Sequence, residues 1–165
     1  KKKLVIPFCL ISLLLFLGCT RDDICSETTQ TTPLLIITFK DAINPLQSSS
    51  VSNLTVSTTE NPSVNIYKSV TTDSIAVPLR TDMDTTQLVF TEGDTEELDG
   101  NADIVTFNYQ REEIYVNRAC SYKMIFRSIN IAVEPESNNT NWIQNTEIVV
   151  THVENENKAH ITIFH

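Results

Sequence analysis

Apolar residues fall along the chain in short runs separated by clusters of Asn, Asp, Pro, Ser and Thr, and hardly any run repeats with the period of a helix. Pro33-Leu34-Leu35-Ile36-Ile37-Thr38-Phe39-Lys40 is a β-branched run closed by Asp41 and Asn44-Pro45, which predicts a strand. Leu54-Thr55-Val56 and Val64-Asn65-Ile66-Tyr67 predict two more, on either side of Asn61-Pro62. Ile75-Ala76-Val77-Pro78-Leu79 alternates, and Pro78, which lacks an N–H, places that strand at an edge or a bulge. Leu88-Val89-Phe90 follows.

The second half predicts hairpins. Ile104–Tyr109 and Ile114-Tyr115-Val116 flank Gln110-Arg111-Glu112, the spacing of a hairpin loop. Cys120, Tyr122, Met124 and Phe126 fall on one face of the next strand. The apolar set then shifts to Ile129, Ile131 and Val133, as a bulge near Ser128 requires. Ile148–Val153 and Ala159–Phe164 predict a last hairpin around Glu154-Asn155-Glu156-Asn157. Many short strands with regular turns indicate an all-β single domain, an antiparallel β-sandwich of the immunoglobulin-like type, with an open barrel as the alternative.

The N-terminus has a different pattern. Lys1-Lys2-Lys3 precedes an apolar stretch from Leu4 to Leu17, shorter than the roughly 17–25 residues of a spanning helix. A cationic start, a short apolar run and a small residue are the anatomy of a secretory signal. Leu17-Gly18-Cys19 resembles the lipobox of bacterial lipoproteins, which implies lipidation at Cys19 and a membrane held through that lipid. Phe16 stands where Leu is more usual. Several acyl chains on one Cys anchor far more firmly than a single myristoyl chain. Thr20-Arg21-Asp22-Asp23 resembles a surface-export signal of Bacteroidota lipoproteins. The plainer reading is a charged, solvated tether. The expected organisation is a signal over 1–18, lipidated Cys and tether over 19–32, and a β-sandwich over 33–165, at the outer membrane.

Without the three leading lysines, 9 basic residues stand against 21 acidic ones, a formal charge of −12. That excludes a nucleic-acid partner, which needs clustered Lys and Arg. Cys25 and Cys120 remain once Cys9 leaves with the signal and Cys19 takes lipid. In an oxidising envelope two thiols most simply pair, closing a long loop worth about 4–5 kcal/mol in the chain-entropy model. Two free thiols or a metal site are the alternatives, although neither Cys has a Cys-x-x-Cys or a nearby His.

Several stretches resemble small uncharacterised lipoproteins of flavobacteria and their relatives, which share a domain of unknown function. They are Arg21–Cys25, Thr71–Asp82, Phe107-Asn108-Tyr109, Arg118-Ala119-Cys120 and Val153–His160. The resemblance implies the lipoprotein address and supports the Cys25–Cys120 pairing. It implies no activity.

Glu92–Asp103 is acidic, and carboxylates close in a loop suit a hard cation such as calcium. The candidate ligands are Asp94, Asp99, Asn101 and Asp103. An EF-hand is excluded, because Ile104 sits where its Gly belongs and Gln110 replaces the closing Glu. A solvated loop is the plainer reading, as it is for Asp82 and Asp84. His152 and His160 would face each other across the last hairpin, where His165 or Glu154 could complete a zinc or copper site. Strand-surface histidines are the plainer reading. Trp142, Tyr109 and Tyr115 could stack on sugar rings, but core packing is the commoner use of aromatics. Asp73-Ser74-Ile75 and Asp84-Thr85-Thr86 resemble a bacterial O-glycosylation motif, with Ser74 and Thr85 as the acceptors. No Ser lies in a Gly-x-Ser-x-Gly elbow. The leading expectation is therefore a non-enzymatic envelope module whose partner is an envelope protein or glycan. A calcium-binding lipoprotein and an envelope glycan hydrolase are the alternatives.

Overall fold

Strand β1 (Leu35–Lys40) shows the period of two in its burial: Leu35, Ile37 and Phe39 have no exposed surface, and the residues between them are half-buried. We describe a computed structural model over residues 24–93, 100–137 and 140–165. Among these residues the regular elements are strands: β2 (Val51–Thr58), β3 (Asn65–Thr72), β4 (Ser74–Val77), β5 (Thr85–Glu92), β6 (Asn101–Asn117), β7 (Ser121–Val133), β8 (Asn145–Ile148) and β9 (Ile161–Phe164) follow β1. They form two sheets, ordered β4-β1-β9-β8 and β3-β2-β5-β6-β7, and no barrel closes. The fold is a β-sandwich. β1 and β9 run parallel, from Ile37 opposite Ile161 to Lys40 opposite Phe164.

The chain divides into two compact units. The larger takes in Gln30–Ile114 and Lys123–His165, and the smaller Tyr115–Tyr122 with the N-terminal chain as far as Thr29. β6 and β7 contribute residues to both. The core of the larger unit is apolar, with Phe39, Phe90, Phe107 and Phe126 fully buried. The Tyr67 hydroxyl ties the sheets together: on β3, it donates to the Ala76 carbonyl of β4 and accepts the Ala76 N–H, both at 3.1 Å.

β4 is an edge strand that stops before Pro78, as a residue without an N–H requires. Ser128 has a φ of 53°, and burial moves from Phe126 to Ile129 across it, where the pattern called for a bulge.

Two predicted hairpins are corrected. The Gln110-Arg111-Glu112 loop does not exist: β6 runs straight through it. Those residues include no Gly, Pro, Asn or Asp: Gln110 and Glu112 take the outward face of a long strand, and Arg111, on the face of Tyr109 but beyond the core, pairs with Asp84. The chain reverses after Asn117, whose side-chain oxygen accepts the Cys120 N–H at 2.8 Å, and Ser121 takes a φ of 59°. Cys120 therefore lies in the turn rather than in the strand.

The last hairpin is also shorter than its pattern. β8 pairs with β9 only from Asn145–Phe164 to Ile148–Ile161. Val149 and Val150 then both donate to the His160 carbonyl, at 2.8 and 3.1 Å. Beyond them the chain crosses to the other sheet, where Val153 exchanges two hydrogen bonds with Phe126 of β7, at 3.1 and 2.7 Å. Val153 is fully buried there, so leaving the hairpin gains apolar burial without losing backbone pairing.

Candidate functional site

Between β4 and β5 the chain makes a loop from Pro78 to Asp84. Three groups close a ring beneath it. The Arg80 N–H donates to the Thr86 hydroxyl at 2.8 Å, that hydroxyl lies 2.6 Å from the Tyr109 hydroxyl, and Tyr109 donates to the Arg80 carbonyl at 2.9 Å. Each hydroxyl accepts one bond and donates one, so the ring satisfies every member. Burial pushes the Tyr109 phenol above its ordinary pKa, which keeps it protonated as the donor the ring needs.

Arginines brace the loop from both sides. The Arg80 guanidinium grips Asp82 with two bonds, at 3.0 and 2.7 Å, and reaches Glu60 at 2.5 Å. Arg111 donates to Asp84 at 2.6 Å and to the Thr81 carbonyl at 2.8 Å. The bond from Arg80 lowers the Asp82 carboxyl to a pKa of about 2. These side chains are solvent-exposed, so the pairs contribute geometry far more than stability.

Beside this loop lies an open recess of about 470 Å³. Its walls are Val64, Ile66, Pro78, Leu79, Met83 and Leu88, and the Arg80–Glu60 pair stands at its rim. Apolar walls under a small set of fixed polar groups are the usual make-up of a binding recess. The Glu60 carboxylate there is bound to Arg80, so the arrangement suits holding an apolar group better than moving protons.

The predicted site residues have separate settings. Cys25 and Cys120 form a disulfide, with Cα atoms 4.9 Å apart and a sequence separation of 95. Cys19, Asp94 and Asp99 lie outside the described residues. Asp103 is 1% exposed and accepts from the Asn141 side-chain amide at 2.9 Å and the Ile143 N–H at 2.8 Å. Asn101 donates to the Thr140 carbonyl at 2.7 Å. Both side chains thus fasten segment 140–143 to β6, and that seats Trp142 in the core. The indole there donates to the Phe90 carbonyl at 3.0 Å, with its ring 6.4 Å from Phe39. Asp82 and Asp84 are held by the two arginines.

The histidines do not converge. His160 is 3% exposed, and its Nδ1 accepts the Ile36 N–H at 3.0 Å. Burial lowers its pKa. His152 is exposed, and the His165 ring packs edge-on against Phe39 and Trp142. Glu154 pairs with Arg127 at 2.9 Å. Among the described residues no three of His, Cys, Asp and Glu gather as a metal site would require. Ser74 is exposed at the start of β4, whereas Thr85 is half-buried and donates its hydroxyl to Asn108 at 2.9 Å. Tyr109 belongs to the core ring described above, and Tyr115 is exposed.

Sequence reasoning missed the three arginines that organise the surface: Arg80, Arg111, and Arg127, which joins Glu112 to Glu154. The Arg80-x-Asp82 spacing was a local signal for one pair. Arg111–Asp84 and Arg127–Glu154 meet only because β6 lies beside β5 and the 149–153 segment crosses to β7.

The fold and loop define a two-sheet β-sandwich domain with a braced loop at one edge strand and an apolar recess beside it. The chain belongs to a family of unknown function, DUF6452, whose model matches residues 53–165, more than half of its length. No curated protein and no solved structure matches it.

Proposed function

We propose that this protein is a lipid-anchored module of the bacterial outer membrane that binds an envelope protein or glycan and catalyses no reaction. The observation that carries the reading is the leader pattern ending Leu17-Gly18-Cys19, with a disulfide-bonded cysteine at position 25. A disulfide persists in an oxidising compartment such as the one a secretory leader addresses. The Arg21-Asp22-Asp23 segment favours display at the cell surface. The braced Pro78–Asp84 loop and its recess are the partner-facing feature. A rigid rim loses little entropy on binding, and the apolar walls supply the driving force.

Mass spectrometry of the N-terminal peptide from native membranes tests the address. Diacylglycerol on the Cys19 sulfur, with the protein in the outer-membrane fraction, is expected. A free thiol at Cys19 or a retained leader would sink the reading. Protease shaving of intact cells, with and without residues 21–23, then separates surface display from a periplasmic position.

A further inference from the structure

We infer that the smaller unit is a membrane-contacting knuckle, with Tyr115, Tyr122 and Ile24 resting in the lipid headgroup layer. This rests on the lipid anchor proposed above. The unit is closed covalently by Cys25–Cys120, so its N-terminal segment cannot separate from the β6–β7 turn. It presents bare apolar surface that includes the exposed aromatic pair. Ile24 is 84% exposed, Tyr115 58% and Tyr122 62%, and the two tyrosine rings pack edge-to-face with centroids 5.4 Å apart. Two aromatics held against each other and left in solvent lie in a unit too small to bury them.

The length of chain beyond the described residues says what covers them. Six peptide steps separate Cys19 from Cys25, and fully extended they span at most about 20–22 Å. A lipid on Cys19 therefore keeps the disulfide within that distance of the bilayer surface. The headgroup layer is about 5–8 Å thick on each face. Tyrosine favours this layer, because its ring is apolar and its hydroxyl reaches water. Charge agrees. The chain from Cys19 onward carries −12, yet its share in the smaller unit, Arg21, Asp22, Asp23, Glu27 and Arg118, sums to only −1. Almost all of the negative charge lies in the larger unit, which keeps repulsion between the smaller unit and anionic headgroups small.

Hydroxyl-radical footprinting tests this on the full mature chain. The acylated protein in phosphatidylcholine vesicles is compared with the Cys19→Ser chain mixed with the same vesicles. Oxidation of Ile24, Tyr115 and Tyr122 is expected to be several-fold slower in the anchored protein. Equal rates in the two would overturn the inference. In the anchored Tyr115→Ser/Tyr122→Ser variant, whose disulfide is verified by mass, Ile24 should return towards the unanchored rate. Continued full protection of Ile24 would assign its cover to something other than the tyrosine contact and count against the knuckle. Protection in the unanchored chain without vesicles, growing with protein concentration, would identify a second copy as the occupant and also overturn it. If native Cys19 proves unacylated, the anchor reading fails separately. The same footprint on mature chain coupled through Cys19 to a maleimide phospholipid still decides whether the knuckle meets lipid.

Discussion

The two units of this chain are stabilised in different ways. In the larger, four phenylalanines have no exposed surface, and every buried side-chain polar atom among the described residues has a partner. In the smaller, the large apolar side chains face outward and one covalent bond does what burial does elsewhere. The difference is one of size. A stretch of 24–29 with a turn cannot enclose an interior, and small units that cannot build a core depend on cross-links. The lesson is that exposed aromatics mean different things in the two places. In a unit with a core they would be packing left undone, whereas in a unit without one they are surface available to a partner.

Truncating a core aromatic breaks the larger unit's side of that contrast. Phe107, fully buried with its ring 6.4 Å from that of Phe90, should cost about 3–5 kcal/mol as Phe107→Ala, read as a fall in urea midpoint. A loss under about 1 kcal/mol would mean the core is not the main source of stability.

Removing the cross-link sharpens the other side. The Cys25→Ser/Cys120→Ser chain should lose about 2–4 kcal/mol, because the 95-residue separation no longer restricts the unfolded state. Proteases should then cut near residues 24–29 while strands β1 to β9 stay resistant. Unchanged resistance of that segment would show that contacts other than the disulfide hold it.

A smaller effect comes from one polar group that the core does enclose. His160 accepts the Ile36 N–H, and burial lowers its pKa. Above about pH 6.5 the imidazole is neutral in both states. Below it the unfolded chain takes up a proton that the folded chain resists, so this contribution to stability falls as pH falls. His160→Ala should cost about 1–3 kcal/mol at pH 8, by orphaning the Ile36 N–H. The gap between variant and parent should narrow as pH drops below 6.5. A gap independent of pH would show that His160 does not titrate against folding.

Most strands were legible because their signal is local. The alternation in β1 and β5 is visible in six to eight consecutive residues, and the outcome at Pro78 follows from a missing N–H. The β6 hairpin was misread because polar residues interrupt the apolar run there. Charge at an outward strand position looks the same as charge in a loop when neighbours are unknown. The predicted calcium ligands show a related limit. Asp103 is spaced from Asn101 as a ligand would be, yet what it meets is an amide and an N–H 38 and 40 residues away.

Local chemistry alone determined most of the strand content and made a Cys25–Cys120 pairing the simplest of the alternatives for those two thiols, and the structure forms that bond. It also carries the leader pattern on which the anchor proposal rests. Tertiary structure decided that His160 serves β1 instead of facing His152, that Val153 crosses to the second sheet, and that Arg80 and Arg111 brace one loop. Side-chain period and turn chemistry act over a few residues, whereas the partner of a buried polar group is chosen by whichever distant segment the core brings within hydrogen-bond reach.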